Sequence, residues 1–211
     1  MNMPGVSRTP EHKRRAARIK PENRKQEILE TALKVFVREN YQGATTAKIA
    51  KAAGITEPVI YMHFESKKEL FLEVIRKSRE DMLEWNKKVL QENEDPIKRY
   101  QIFTDMFKYY TTEFKRDAAL IWAVAATVND PEIKAEIRRT DEEVIKQLTD
   151  DIRKAIEERK ITSRHSPDVM ARIIHGINSH LSWLMLVGDV HGQDWIYEGI
   201  KHFIGDVLKI E

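Results

Sequence analysis

The chain has 211 residues, 33% charged and 41% hydrophobic, with a formal net charge of +2 and no cysteine; this fits one large or two small globular domains and excludes disulfides and thiolate chemistry. No apolar run approaches the ~18 residues of a membrane-spanning helix, and the N-terminus lacks the apolar stretch of a secretory signal, so a cytoplasmic protein with no membrane partner is expected. The small net charge conceals an asymmetry: residues 1–70 hold 14 Lys and Arg against 8 Asp and Glu, whereas the remainder holds 22 against 26, and a basic N-terminal third suits an anionic partner.

Residues 1–20 carry Pro4, Gly5, Pro10 and the basic group Lys13, Arg14, Arg15, Arg18 and Lys20. This composition predicts a basic, disordered arm. Pro21 can open the first helix, in which Ile28, Leu29, Ala32, Leu33 and Phe36 recur at helical spacing. Gly43 ends the link to residues 45–70, TTAKIAKAAGITEPVIYMHFESKKEL, the most informative run in the chain. Thr46 is the expected N-cap of a helix with Ile49, Ala50 and Ala53 on one face. Gly54 follows as a left-handed C-cap, and Ile55 plugs the turn into the core. Thr56 can cap a second, short helix with Pro58 in its first turn. Ser66 and Glu69 form a capping box that opens a third. Helix, tight turn, short helix is the pattern of a helix-turn-helix.

The helix from Ser66 should run to about Glu92, with Leu70, Val74, Ile75 and Met82 facing inward. Asp95-Pro96, Asp130-Pro131 and Ser166-Pro167 each set a capping residue before a Pro at the first helical position. Between the first two pairs, Tyr100, Phe103, Phe107, Tyr110 and Phe114 lie three or four apart, and Leu120 to Val128, centred on Trp122, is almost wholly apolar and should be buried. Two stripes follow: Met170, Ile174, Ile177, Leu181, Leu184 and Gly188, then Ile196, Ile200, Phe203, Val207 and Ile210. Their alternating four- and three-residue steps suit a four-helix bundle made by two chains. Gly188 and Gly192 break the chain between them, and Asp194 can cap the last helix. No segment shows strand alternation. An all-α fold of about nine helices is expected: the arm at 1–20, a helix-turn-helix DNA-binding domain at 21–66 and a helical effector-binding and dimerisation domain at 67–211.

Phe36, Gly43, Thr46, Ile49, Ala50, Ala53, Gly54, Ile55, Ile60, Tyr61, His63, Phe64, Ser66, Lys67 and Leu70 follow one another at the spacing of the TetR family of transcriptional regulators, which this segment of roughly fifty residues resembles. Position 58 departs from the commonest pattern, which has Gly there. The resemblance implies backbone contacts by Thr46, Tyr61, His63 and Lys67, dimerisation through the last two helices, and an inducer pocket in the body.

From residue chemistry, Thr56, Glu57 and Val59 should reach base edges, Glu57 accepting from a cytosine amine and Val59 meeting a thymine methyl. Thr46, Lys48, Tyr61, His63 and Lys67 suit phosphate. An acid at the groove face, Glu57, repels phosphate. Phe103, Phe107, Tyr110 and Trp122 are expected to line an effector cavity, with Asn178 orienting the ligand. There is no GxSxG, phosphate-loop or GxGxxG motif, no HExxH, and no His pair at i, i+4. No catalysis, cofactor or metal is therefore expected. The predicted function is a homodimeric, ligand-responsive regulator, a repressor released from a palindromic site on double-stranded DNA by a small, largely apolar effector. Its rivals are an architectural DNA-binding protein without effector and a helical enzyme.

Overall fold

The computed structural model describes residues 21–95, 98–99, 116–158, 160–187, 198–200, 202–203 and 206. The fold is all-α, and the described residues form seven helices: α1 (Pro21–Gly43), α2 (Thr46–Ala52), α3 (Glu57–Tyr61), α4 (Lys67–Glu92), α5 (Arg116–Ala126), α6 (Pro131–Glu157) and α7 (Pro167–Val187). Residues 198–200, 202–203 and 206 are also helical. The expected aromatic row at Tyr100, Phe103, Phe107, Tyr110 and Phe114 lies outside the described residues.

Most helix boundaries follow from local chemistry. Ser66 caps α4 by accepting from the Glu69 N–H at 3.1 Å. Asp130 caps α6 through the N–H groups of Glu132 and Ile133. Ser166 Oγ accepts weakly from Val169 at the start of α7. One cap differs from expectation. Thr45, not Thr46, caps α2, accepting from Lys48 N at 3.2 Å. Thr46 is instead the first helical residue, and its side chain is buried against α3. Thr56 holds the cap position of α3, but its hydroxyl makes no capping bond.

The turn between α2 and α3 is closed by two backbone bonds, Ile55 N–H to Ala50 C=O and Gly54 N–H to Lys51 C=O. This is the Schellman pairing, which needs a left-handed residue after the helix. Gly54 supplies it at φ 67°.

Two apolar cores result. The first joins Ile28, Ala32 and Phe36 of α1, Ile49 of α2, Ile60 of α3, Leu70, Phe71 and Ile75 of α4, Ile121 and Val124 of α5 and Ile133 of α6. Phe36 meets Phe71 edge-on, with ring centroids 4.7 Å apart. Each fully buried side chain of this size contributes roughly 1.5–3 kcal/mol. This core runs across residue 66, so the helix-turn-helix is seated on α5 and the start of α6. The second core joins Val89 of α4, Leu148, Ile152 and Ala155 of α6 and Met170, Ala171 and Ile174 of α7. α4 and α6 contribute to both, α6 through Ile133 at its start and Leu148, Ile152 and Ala155 further on.

The stripe assigned to a partner chain is corrected at Met170 and Ile174, while Leu181, Leu184 and Gly188 lie outside the described side chains. Met170 and Ile174 are buried within the monomer, against α6. Helical spacing fixes which residues share a face, but not what covers it. Among the described side chains of α7, the large apolar ones that are exposed lie one position back, Val169 at 42% and Ile173 at 37%. Phe203, from the second stripe, is also exposed, while Ile200 packs on the second core.

Candidate nucleic-acid interface

α2 and α3 are too short to stand alone, so their placement rests on the first core. Ile49 and Ala50 anchor α2 and Ile60 anchors α3. What remains outside is the candidate reading surface. Met62, at the end of α3, is 80% exposed and Tyr61 is 51% exposed. Thr56, Pro58 and Lys48 are exposed, whereas Val59 and His63 are half-buried.

Three of the expected contact residues are bonded to one another. The Thr46 hydroxyl donates to the Glu57 carboxylate. The Tyr61 hydroxyl lies 3.2 Å from Thr46 Oγ1. Glu57 and Tyr61 are four apart on α3 and so share a face. Glu57 thus turns toward α2 in the free protein.

The two lysines of the expected set are likewise engaged. Lys67 Nζ donates to the backbone carbonyls of Tyr41 at 3.0 Å and Ala44 at 3.1 Å. Lys48 Nζ donates to Glu39 at 2.9 Å and to the Gly43 carbonyl at 3.0 Å. The Lys48 bond is the main reason why the Glu39 carboxyl is held below the usual carboxylate range, with Arg38 adding to it. An ammonium has three donors, so each lysine keeps one for another acceptor. Just before Tyr41, Asn40 takes a positive φ of 53° and its side chain accepts from the Gly43 N–H. Asn bonds its own backbone in this way and tolerates positive φ better than most residues.

Behind the surface lies a charge network that sequence reading missed. Arg79 of α4, 9% exposed, donates to Glu136 of α6, 8% exposed. Arg76 reaches the other oxygen of Glu136 at 3.5 Å and bonds Glu73, which also holds Lys25 of α1. Burial pushes the Glu73 carboxyl up, but the bonds from Arg76 and Lys25 outweigh it and hold it low. The available signal was spacing: Arg79 stands four residues after Ile75, on the apolar face. A second tie joins Lys68 of α4 to Glu132 at 2.9 Å and Asp130 at 3.6 Å.

Of the expected effector residues, Phe103, Phe107 and Tyr110 lie outside the described residues. Trp122 is half-buried on α5 and packs against the first core. Asn178 is half-buried on α7. Among the described residues no group of His, Cys, Asp and Glu could hold a metal ion, and no helix is long and apolar enough to cross a membrane.

Residues 28–74 match the model for bacterial regulatory proteins of the tetR family. The HTH-type transcriptional activator FasR of Mycolicibacterium smegmatis is 28% identical over 125 residues, 59% of this chain and 57% of that protein. The HTH-type transcriptional repressor AcnR of Corynebacterium glutamicum is 41% identical over 69 residues, 33% of this chain and 37% of that protein. The chain therefore spans less than two thirds of either relative. Among solved structures, the transcriptional regulator FadR from Bacillus subtilis, in complex with stearoyl-CoA, shares the fold with a TM-score of 0.74. It is 13% identical, and the match covers 87% of this chain and 99% of that one.

Proposed function

We propose that this chain, which belongs to the TetR family of bacterial regulatory proteins, is a homodimeric transcriptional regulator that reads a palindromic site in double-stranded DNA through α3 and is released from it by a small, largely apolar effector. The observation that carries this reading is the exposed end of α3, Tyr61 and Met62, held on a buried three-helix frame inside the matched residues. A helix so anchored and so exposed can enter a major groove. Thr56, Glu57 and Val59 are assigned to base edges, and Thr46, Lys48, Tyr61, His63 and Lys67 to phosphates. The DNA-binding unit is residues 21–66, the effector and dimer unit 67–211, and residues 1–20 a basic arm. Regulation rather than catalysis is the chain's role, and the cytoplasm its setting.

Two relatives of this kind act in opposite directions, one an activator and one a repressor. We assign repression here, because an effector that repositions the reading helices removes the protein from its site. The cavity is assigned to Phe103, Phe107, Tyr110, Trp122 and Asn178. α4 is assigned to transmit an effector signal, since it follows α3 directly in the chain, contributes to both cores and is ion-paired at Lys68 and Arg79 to α6, the other helix shared by the two cores. Two reading helices must sit about 34 Å apart to meet successive major grooves. A shift of α4 changes that separation, and a preference of a few kcal/mol for the shifted state suffices.

Stearoyl-CoA in the FadR structure gives a ligand class to test first, long acyl thioesters. Selection from a random duplex pool should return an inverted repeat. Titration of that complex with acyl-CoA thioesters of graded chain length should release it. A pool that yields no enriched sequence would refute the DNA-binding reading; an enriched complex indifferent to apolar ligands would refute the effector.

A further inference from the structure

Thr46, Glu57 and Tyr61 form a chain of hydrogen bonds whose direction is fixed by proton count. A hydroxyl has one proton, and an ionised carboxylate only accepts. Thr46 gives its proton to Glu57. The 3.2 Å contact between Tyr61 and Thr46 must then run from the Tyr61 hydroxyl to Thr46 Oγ1. The Thr46 proton points to the carboxylate and the Tyr61 proton to Thr46 Oγ1. Neither is available to a phosphate oxygen while the chain is closed. The Thr46 hydroxyl has a single proton, so it cannot donate to a new acceptor without breaking the bond to Glu57. Among the described residues no cation pairs with Glu57 that would neutralise it.

From this geometry we infer that Glu57 is a specificity gate, which withholds the Thr46 hydroxyl from phosphate unless a base amine in the major groove takes over the carboxylate. The inference rests on the proposed DNA-binding reading and deepens it. When DNA docks, Thr46 can give its proton to a phosphate only after Glu57 releases it, whereas the exposed Tyr61 hydroxyl need break only its own bond to Thr46. The freed carboxylate then stands near a phosphate, a like-charge contact, and lacks its donor. On a sequence that places cytosine N4 or adenine N6 opposite α3, that donor is replaced. On any other sequence it is not, and phosphate contact is weakened. Base identity at one position thus controls the strength of backbone contacts that themselves carry no sequence information.

The test compares wild type, Glu57→Gln and Glu57→Ala on two duplexes of equal length. One is the sequence enriched by wild type from a random pool, and the other is its scrambled version, at one fixed salt concentration. Both variants should bind the scrambled duplex several-fold more tightly. The ratio of enriched to scrambled affinity should fall about tenfold, the lower range for one lost base contact. Repeating the enrichment with Glu57→Ala should remove the preference for an amine-bearing base at that position, while Glu57→Gln, whose amide can pair with adenine N6 and N7, should shift it toward adenine. Thr46→Val supplies the second arm: in that background Glu57→Gln should have little further effect, because the gate has nothing to hold. Thermal melts establish that each variant is folded, and the isosteric Gln carries the test if Ala unfolds. An unchanged affinity ratio overturns the gate. So does equal weakening on both duplexes, which would make Glu57 a support for the two hydroxyls, and so does full additivity with Thr46→Val. A wild type that enriches no sequence overturns the DNA reading itself, and the gate with it.

Discussion

The ammonium of Lys67 sits 4.4 Å from the centroid of the Tyr41 ring and donates to the Tyr41 carbonyl at 3.0 Å. With its second bond, to Ala44, the first residue of α4 fastens the turn between α1 and α2. Lys67→Ala removes a donor from two carbonyls and a cation from a ring face. Each lost bond to a charged donor costs about 1.5 kcal/mol or more, and the ring contact about 0.5–1. Urea unfolding should show a loss of about 3.5 kcal/mol or more if these terms add. DNA affinity should fall in parallel. A variant as stable as wild type that binds DNA less well would make phosphate contact, not support of the turn, the main role of Lys67.

At Gly54 the backbone is left-handed at φ 67°, and a Cβ would meet no atom within 4 Å. The expected loss in Gly54→Ala is therefore conformational, about 1–2 kcal/mol, with no steric part. Gly54→Asn should lose less, since Asn tolerates this region. Equal losses for the two substitutions would contradict a purely backbone origin.

Buried charge joins α4 to α6. Arg79→Met leaves Glu136 buried with only the longer contact from Arg76, so stability should fall by about 3 kcal/mol, the low end for a broken buried pair. Replacing both, Arg79→Met with Glu136→Leu, should recover most of that loss, because two apolar side chains need no partner. Calorimetry on the single and double variants checks this. A double variant less stable than the single would mean that Glu136 contributes through its other bonds.

The Lys68 tie sets a pH window. Bonds from the Ile133 and Glu132 N–H groups, with Lys68 nearby, outweigh burial and hold the Asp130 carboxyl below the usual range. The bond to Glu132, aided by Asp130, raises Lys68 above its own. A depressed carboxyl stabilises the fold above its unfolded pKa of about 3.9 and loses that contribution as pH falls through the lower folded value. A raised lysine stabilises below its unfolded pKa of about 10.4 and loses it as pH rises further. The melting temperature should thus be level between about pH 5 and pH 9 and drop on either side. Asp130→Asn should flatten the acid limb, since the amide still caps α6 but does not titrate. An acid limb identical to wild type would place the sensitivity elsewhere, Glu73 and Glu39 being the next depressed carboxyls.

The features read correctly from sequence were those decided within a few residues. Ser66, Asp130 and Gly54 act on neighbours three or fewer positions away, so residue type and spacing were enough. The Thr45–Thr46 pair shows the limit of that reasoning. Either residue could cap α2, and the choice is made by Glu57 and Tyr61, which draw Thr46 inward from eleven and fifteen positions away. The same limit governs Met170 and Ile174, whose stripe was visible but whose cover, α6, was not. Lys67 and Lys48 were legible as cations at the right place; that carbonyls of the α1–α2 turn already hold them depends on the path of the backbone.

Trp122 tests how the body is coupled to the reading head. Sequence placed it in an effector cavity, and the fold places it half-buried against the first core, where α5 leans on α1 and α4. These positions are compatible only if the ring has one face on each. Truncation of a core Trp costs about 3–5 kcal/mol, and a half-buried one should fall near or below the lower figure. Trp122→Ala should therefore lower the melting temperature and weaken DNA binding together, because the lost contacts support the frame that carries α3. Trp122→Phe keeps most of the apolar contact and should restore both. Effector response separates the two faces. If Trp122→Phe regains stability and DNA binding but not release by acyl thioesters, the other face of the ring lines the cavity. If release returns with stability, Trp122 acts only as a wedge between α5 and the DNA-binding core, and the cavity lies elsewhere in the body.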